Sequence, residues 1–338
     1  MPTIKDVARR AGVSIKTVSR VVNKDPAVRD STREHVERVV AELGYTPDPA
    51  ARSMRSNRTG VLGLVTDMVT TTPYSVDIIS GVQDACAEAG MMMLIVNTRG
   101  DRAHTEHAIR TLVERKVEGI VYATMYLRAL DELPAMGDLP MVLVNCFMAD
   151  GSVPSIVPDD YAGSYAATSH VIELGHRDIA LLSVNPVIIA GERRGRGFRR
   201  ALLDHGLTCT PDRVRAGQVF ENGREVFVAA EATLRFLDAA QRPTAIVCGT
   251  DAIAMRAYNA VRERGLRIPD DISIVGYDNF VMIAEALDPP LTSVALPYYD
   301  MGRTAVSWLR RLGHGDGLAE PTLLMPCPLI RRASCRPL

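Results

Sequence analysis

Aromatic residues are scarce in this 338-residue chain: one Trp, six Phe and ten Tyr make up 5% of it. Flat platforms on which a ligand ring could stack must therefore come from few positions. No apolar run approaches the roughly 18–20 residues needed to span a bilayer, and the first residues carry no apolar signal core. A cytoplasmic protein with no membrane partner is expected. The six cysteines (Cys86, Cys146, Cys209, Cys248, Cys327, Cys335) show neither the close pairing of a zinc site nor the density of a secreted scaffold. They predict reduced, structural thiols. Of the seven histidines only His104 and His107 stand at helical spacing, too few converging ligands for a metal. A dinucleotide fingerprint, a Walker loop and a nucleophile elbow are all missing, so nothing reads as a catalytic engine or a cofactor cradle, and no enzyme is expected. Net charge is nearly absent at −1, yet it is unevenly placed. Residues 1–58 hold twelve Lys and Arg against seven Asp and Glu, while the rest hold 27 against 33. A basic head on an acidic body fits a nucleic-acid-binding module joined to something that is not one.

What is present begins at the N-terminus. Thr3 with Asp6 three residues on is a capping-box-like start, and Ile4, Val7, Ala8 and Ala11 fall on one helical face. Gly12 stands where the chain must leave that helix, and Ser14 can cap a second one whose apolar face is Val18, Val21 and Val22. The spacing predicts a helix-turn-helix. Its outer face holds Ile15, Lys16, Thr17, Ser19, Arg20 and Asn23, residue types that bond phosphates and base edges in a major groove. By spacing alone an αα-hairpin with a solvated charged face is the alternative. Ser31 and Glu34 stand in capping-box spacing before a third helix with a stripe of Val36, Val39, Val40 and Leu43, stopped by Gly44. Its cap is expected at Asp30 or Ser31, which frees Arg29 to reach a phosphate.

The string Thr3-Ile4-Lys5-Asp6-Val7-Ala8, Ala11-Gly12-Val13-Ser14 and Thr17-Val18-Ser19-Arg20-Val21-Val22-Asn23 closely resembles the signature of the lactose/galactose repressor family (LacI/GalR). That resemblance implies a transcriptional regulator, a repressor, that binds a near-palindromic double-stranded operator as a homodimer and responds to a small-molecule effector. It implies DNA contacts from Thr3, Ser14, Ile15, Lys16, Thr17, Ser19, Arg20, Asn23 and Arg29. It also makes the basic segment after Pro47 a hinge helix contacting DNA through Ala51 and Met54. Met54 occupies the minor-groove wedge position, usually leucine. Asp48 and Pro49 depart from the family pattern, and a carboxylate at 48 would repel phosphate.

From Val61 onward apolar runs alternate with amphipathic stretches. Strands are expected at 61–66, 92–97, 119–123, 141–145, 179–183, 215–219, 245–249 and 272–277, which means parallel sheets with right-handed crossovers. Composition leaves one doubly wound sheet or two. Gly175-His176-Arg177-Asp178-Ile179, Pro269-Asp270-Asp271-Ile272 through Asp278, and Pro290-Leu291-Thr292-Ser293-Val294 resemble landmarks of a periplasmic-binding-protein-like core. The resemblance implies two Rossmann-like subdomains sharing three crossovers, near 158–162, 290–296 and 325–329. The expected organisation is an all-α helix-turn-helix head (1–45), a hinge helix and linker (46–60), and an α/β effector-binding and dimerisation core (61–338). Within the core the N-subdomain is expected at about 61–160 and 293–325, and the C-subdomain at about 161–292 and 326–338. No leucine heptad follows, so no assembly beyond a dimer is expected.

Ligands of open parallel sheets sit at the carboxyl ends of strands. Through the resemblance Tyr74, Ser75, Arg194, Phe220 and Asp278 match effector-touching positions: Arg194 a guanidinium grip, Phe220 an aromatic platform, Asp278 an acceptor for vicinal hydroxyls. Thr250 stands where many sugar-responsive relatives carry asparagine, with Asp251 beside it expected to cap the next helix. Tyr122, Thr124 and Asp159 are further candidates, with helix capping the alternative for Asp159. A carbohydrate effector is expected on family frequency; sugar-type relatives release DNA on binding it, and purine-type relatives do the opposite. A sugar-binding receptor, or an α/β enzyme on sugars or nucleotides, would explain the core without the basic head.

Overall fold

The computed structural model describes residues 2–46, 58–70, 72, 75–134, 137–185, 187–221 and 224–338. The chain divides into two compact units, Met1–Gly60 and Val61–Leu338.

The first unit is built from α1 (Ile4–Ala11), α2 (Ile15–Val22) and α3 (Asp30–Leu43). Thr3 and Asp6 form the reciprocal capping box: the Asp6 carboxylate accepts from the Thr3 amide at 2.9 Å and from its hydroxyl at 2.7 Å. These bonds hold the Asp6 carboxyl below its usual range. Gly12 turns out of α1 at φ 64°, a left-handed conformation that costs a Cβ-bearing residue stability. Ser14 then caps α2, accepting from the Thr17 amide at 3.1 Å. Val7, Val18, Val21, Val36 and Val39 close a small core among the three helices. One expectation fails here. α3 starts at Asp30, so Arg29 occupies the capping position and gives no side-chain bond, and the Ser31–Glu34 box lies already inside the helix. The chain is turned into the helix from another side: the Arg33 guanidinium binds the carbonyls of Asp25 and Val28 at 2.8 and 3.3 Å.

The second unit alternates strands and helices. In chain order they are β1 (Val61–Thr66), α4 (Val76–Glu88), β2 (Met92–Asn97), α5 (Arg102–Glu114), β3 (Ile120–Leu130), β4 (Met141–Met148), β5 (Ser155–Pro158), α6 (Asp160–Glu173), β6 (Ile179–Ser183) and α7 (Ile189–Asp204). Then come β7 (Val214–Ala216), β8 (Gln218–Glu221), β9 (Arg224–Phe227), α8 (Ala229–Leu237), β10 (Ala245–Cys248), α9 (Asp251–Glu263) and β11 (Ser273–Asp278). The chain closes with α10 (Val281–Ala284), β12 (Thr292–Ala295), α11 (Tyr298–Gly313), β13 (Thr322–Met325) and β14 (Leu329–Ile330).

These strands make two six-stranded sheets, in the orders β13-β5-β4-β3-β1-β2 and β14-β12-β11-β10-β6-β7. The pairs are parallel except β12 with β14. Each sheet carries apolar helices on both faces, as parallel strands buried on two sides require. α4 and α11 cover one face of the first sheet and α5 the other; α6 and α7 cover one face of the second, and α8 and α9 the other. The chain passes between the sheets after Pro158, after Ala295 and after Met325. β12 pairs wholly within the second sheet, so the second passage follows that strand.

The single strand expected at 215–219 is two strands in two sheets. β7 ends on the edge of the second sheet, and β8 pairs antiparallel with β9 in a separate hairpin. Gly217 is the break. Its amide bonds the Ser183 carbonyl and its own carbonyl accepts from the Val228 amide, while a Cβ there would stand 2.8 Å from Ile253.

Candidate functional site

The head presents its polar residues on α2. Ile15 is 46% exposed, and Lys16, Arg20 and Asn23 are exposed with it. Arg20 pairs with Asp25 at 3.4 Å across a solvated surface, a contact worth little and readily exchanged for a phosphate. Thr3, Ser14 and Thr17 are engaged in capping bonds, Ser14 with the Thr17 hydroxyl at 3.0 Å, and Ser19 lies 3.5 Å from the Asn23 amide. The Thr3 and Ser14 hydroxyls are positioned by the helix starts they cap. Arg29 is exposed beside α3. Ala51 and Met54 lie outside the described residues, as does the hinge at 47–57.

In the second unit a cavity of about 90 Å³ lies between the two sheets, at the carboxyl ends of their strands. Arg194 of α7, Thr250 after β10 and Asp278 at the end of β11 come together there. α7 approaches α6 closely because Gly197 has no side chain; a Cβ there would lie 2.3 Å from the Tyr161 carbonyl. That approach lets the buried Arg194 bond Asp160, the first residue of α6, through Nε at 2.7 Å. Arg194 Nη1 donates to the Gly249 carbonyl at 2.5 Å and lies 3.5 Å from Asp278 Oδ1. Its guanidinium carbon sits 3.7 Å over the Tyr277 ring. Burial opposes the positive charge, but Asp160, with Tyr277 and Asp278, outweighs it and holds the Arg194 pKa above its usual value. Burial also drives the Asp278 carboxyl well above the carboxylate range, against the pull of Arg194.

Other lining groups come from both lobes. Tyr126 and Asn145 belong to the first sheet, Gln218, Glu225 and Phe227 to the hairpin of the second lobe. The Tyr126 hydroxyl donates to the Glu225 carboxylate and ties the lobes across the cavity. Arg256 lies 4.3 Å over the Phe227 ring and fixes it.

Several expected residues stand elsewhere. Phe220 is 44% exposed on β8 and does not line the cavity, although it shares a hairpin face with Gln218 and stands opposite Glu225, which do; Phe227 supplies the aromatic side chain there. Asp159 caps α6, accepting from the Ala162 amide at 2.9 Å, and leaves the cavity to its neighbour Asp160. Thr124 is buried and donates to the carbonyls of Tyr126 and Asn145 at 2.9 and 2.7 Å. Tyr122 borders a different cavity, of about 340 Å³, beside Thr105 and Arg128. Ser75 is fully buried at the start of α4, away from the cavity lining. Tyr74 lies outside the described residues. The capping role expected of Asp251 belongs to Thr250, whose hydroxyl accepts from the Ile253 amide at 3.2 Å. The buried Asp251 instead accepts from the Ser293 hydroxyl and the Phe280 amide, both at 2.6 Å, and burial pushes its carboxyl up to about 7.

Asp160, Asn145, Tyr126 and the hairpin residues were not singled out from sequence. Asn145 carries the signal that could have found it, since it closes an expected strand at the carboxyl end of the sheet. Among the described residues no group of three or more His, Cys, Asp or Glu is placed to hold a metal ion, and no helix is long and apolar enough to cross a membrane.

Comparison with known proteins agrees along the chain. Residues 3–48 match the model of bacterial regulatory proteins of the lacI family, and residues 168–335 match a periplasmic binding protein-like domain. An HTH-type transcriptional repressor PurR from Photobacterium profundum is 35% identical over 311 residues, 91% of either chain. The ribose operon repressor of Haemophilus influenzae is 32% identical over 98% of either chain. Among solved structures, the lac repressor dimer bound to operator and the anti-inducer ONPF matches with a TM-score of 0.74 at 26% identity, over 99% of both chains.

Proposed function

The chain belongs to the lacI family of bacterial regulatory proteins and is a DNA-binding transcriptional regulator, not an enzyme; from that premise we propose that it is an effector-controlled repressor acting as a homodimer in the cytoplasm. Two copies of α2 read the half-sites of a near-palindromic operator through Ile15, Lys16 and Arg20, with Thr3, Ser14, Thr17, Ser19, Asn23 and Arg29 bonding the backbone. Ala51 and Met54 contact the minor groove between them. Exposed apolar side chains that a second copy would cover support the dimer: Met92 at 69% and Ile95 on the edge strand β2, Val281 and Met282 at 76% on α10. A closed two-fold pair buries the same patch on both copies.

The effector is proposed to be a carbohydrate held between the lobes by Arg194, Thr250 and Asp278. The observation that carries this reading is the meeting of those three residues in one interlobe cavity with an aromatic wall, Phe227 and Tyr298. A sugar offers vicinal hydroxyls to the carboxylates and an apolar ring face to the aromatics. The ribose operon repressor supports that chemistry by its name alone. Effector bound to one closure of the lobes changes the separation of the two heads, and the coupling between sites of this kind is typically about 1–3 kcal/mol, or roughly 5–150-fold in operator affinity. Fluorescence anisotropy on the DNA upstream of its own coding region, with and without a panel of sugars, tests the proposal. A receptor or enzyme without a DNA role would show no salt-resistant, sequence-selective binding in that assay.

A further inference from the structure

Residues that line the interlobe cavity carry acceptors left without donors. Two buried oxygens of residues that line it, Asp160 Oδ2 and Asn145 Oδ1, have no hydrogen-bond partner among the described residues. The Asn145 amide is oriented by its other end: Nδ2 donates to the carbonyls of Thr124 and Met125, each at 2.9 Å, which leaves the oxygen over. Asn145 is held at φ 58° and Asp278 at φ 100°, left-handed conformations that residues with a Cβ seldom adopt and that gather at binding sites. Buried acceptors without donors are rare and costly in a folded protein, so a partner is expected from outside the chain.

Charge points the same way. Asp160, Glu225 and Asp278 line the cavity, and Arg194 is the one basic residue among its described lining residues. Arg194 is largely engaged within the chain: Nε and Nη1 bind Asp160, Gly249 and Asp278, and Nη2, which makes no hydrogen bond to a described residue, is what remains for an effector. Even with Asp278 protonated, two carboxylates outnumber one guanidinium. An anion entering this cleft would lose its water and meet carboxylates, whereas hydroxyls would supply the missing donors.

Building on the reading of this cleft as a carbohydrate effector site, we propose that the effector is an uncharged, hydroxyl-rich molecule and not its phosphorylated or carboxylated form, with Asp160 Oδ2 and Asn145 Oδ1 accepting from its hydroxyls. Calorimetry and thermal-shift measurements on the full chain with matched series test this: ribose against ribose 5-phosphate, glucose against gluconate and glucose 6-phosphate, cellobiose against cellobionate, with hypoxanthine as an uncharged base. The expected result is that a neutral parent binds and its anionic derivative binds on the order of 100-fold more weakly. An anionic member that binds as tightly as its parent, or alone, overturns the charge rule and leaves the carbohydrate reading standing. Hypoxanthine binding in place of every sugar does the reverse: it removes the carbohydrate reading and upholds the charge rule. Glu225→Gln deletes one negative charge without disturbing the Arg194 contacts, and it should narrow the gap between neutral and anionic members roughly tenfold. An unchanged gap would show that Glu225 takes no part in the discrimination.

Discussion

Arg194→Ala looks at first like a clean way to remove effector response, but the geometry of Asp160 predicts a large stability cost. Asp160 is fully buried, its Oδ1 is bound to Arg194 Nε at 2.7 Å, and its Oδ2 has no partner among the described residues. Removing one member of a buried ion pair strands the other, at about 3–5 kcal/mol. In a thermal scan of a domain this size that deficit corresponds to roughly 6–20 °C. The assay is urea unfolding at pH 7 of wild type, Arg194→Ala, and Arg194→Ala with Asp160→Asn. The double variant should recover most of the loss, since it has no charge to strand. A deficit under about 1 kcal/mol in Arg194→Ala, or a double variant no more stable than the single one, would refute the picture of a buried, mutually dependent pair. Asp160→Asn alone is the control when effector response is measured in the double variant, since Asp160 is itself proposed to accept from the effector.

Three further outcomes are expected. Replacing Ile15 and Lys16 together should change the preferred base pairs by about 1–3 kcal/mol per contact in a competition assay on randomised operators; an unaltered base preference would remove α2's exposed first turn from sequence readout. Because the Asp251 carboxyl is pushed up to about 7 by burial, the folded state binds its proton more readily than the unfolded chain, so its contribution falls as pH rises from about 4 through 7. Relative to Asp251→Asn, wild type should accordingly lose stability across that window, and parallel pH curves for the two proteins would contradict the assignment. Tyr126→Phe removes the hydroxyl that ties the lobes to Glu225, a bond to a charged group worth about 1.5–3 kcal/mol, and should weaken effector affinity by at least about tenfold in calorimetry. Undiminished affinity would mean that effector binding does not depend on the bond, because it is either absent in the liganded state or made equally without effector.

Much of this protein is written locally. The helix starts and the turn of the helix-turn-helix follow from contacts no more than four residues apart: Thr3 with Asp6, Ser14 with Thr17, and a glycine at the left-handed position between α1 and α2. Apolar runs marked β1, β2, β4, β6, β10 and β11 to within about three residues, because a strand buried on both faces needs little more than continuity of Val, Ile and Leu. β3, by contrast, runs on to Leu130, and β5, β9, β12, β13 and β14 were not among the expected strands. Arg194, Thr250 and Asp278 were legible through resemblance and the carboxyl ends of strands.

What the tertiary structure alone decided is which of two neighbours does which task. Asp159 caps a helix and Asp160 faces Arg194, 34 residues away; Thr250 caps and Asp251 reaches Ser293, 42 residues away. Phe227 lines the cavity and Phe220 does not, although the hairpin that starts after Gly217 sets Phe220 opposite the lining Glu225. In each case the composition of the pair is visible in the sequence and the division of labour is not. A cap needs only its own first turn, whereas a carboxylate in a cleft needs a partner delivered by a different strand or helix. The direction in which a side chain points toward that partner is set by packing between elements far apart in the chain.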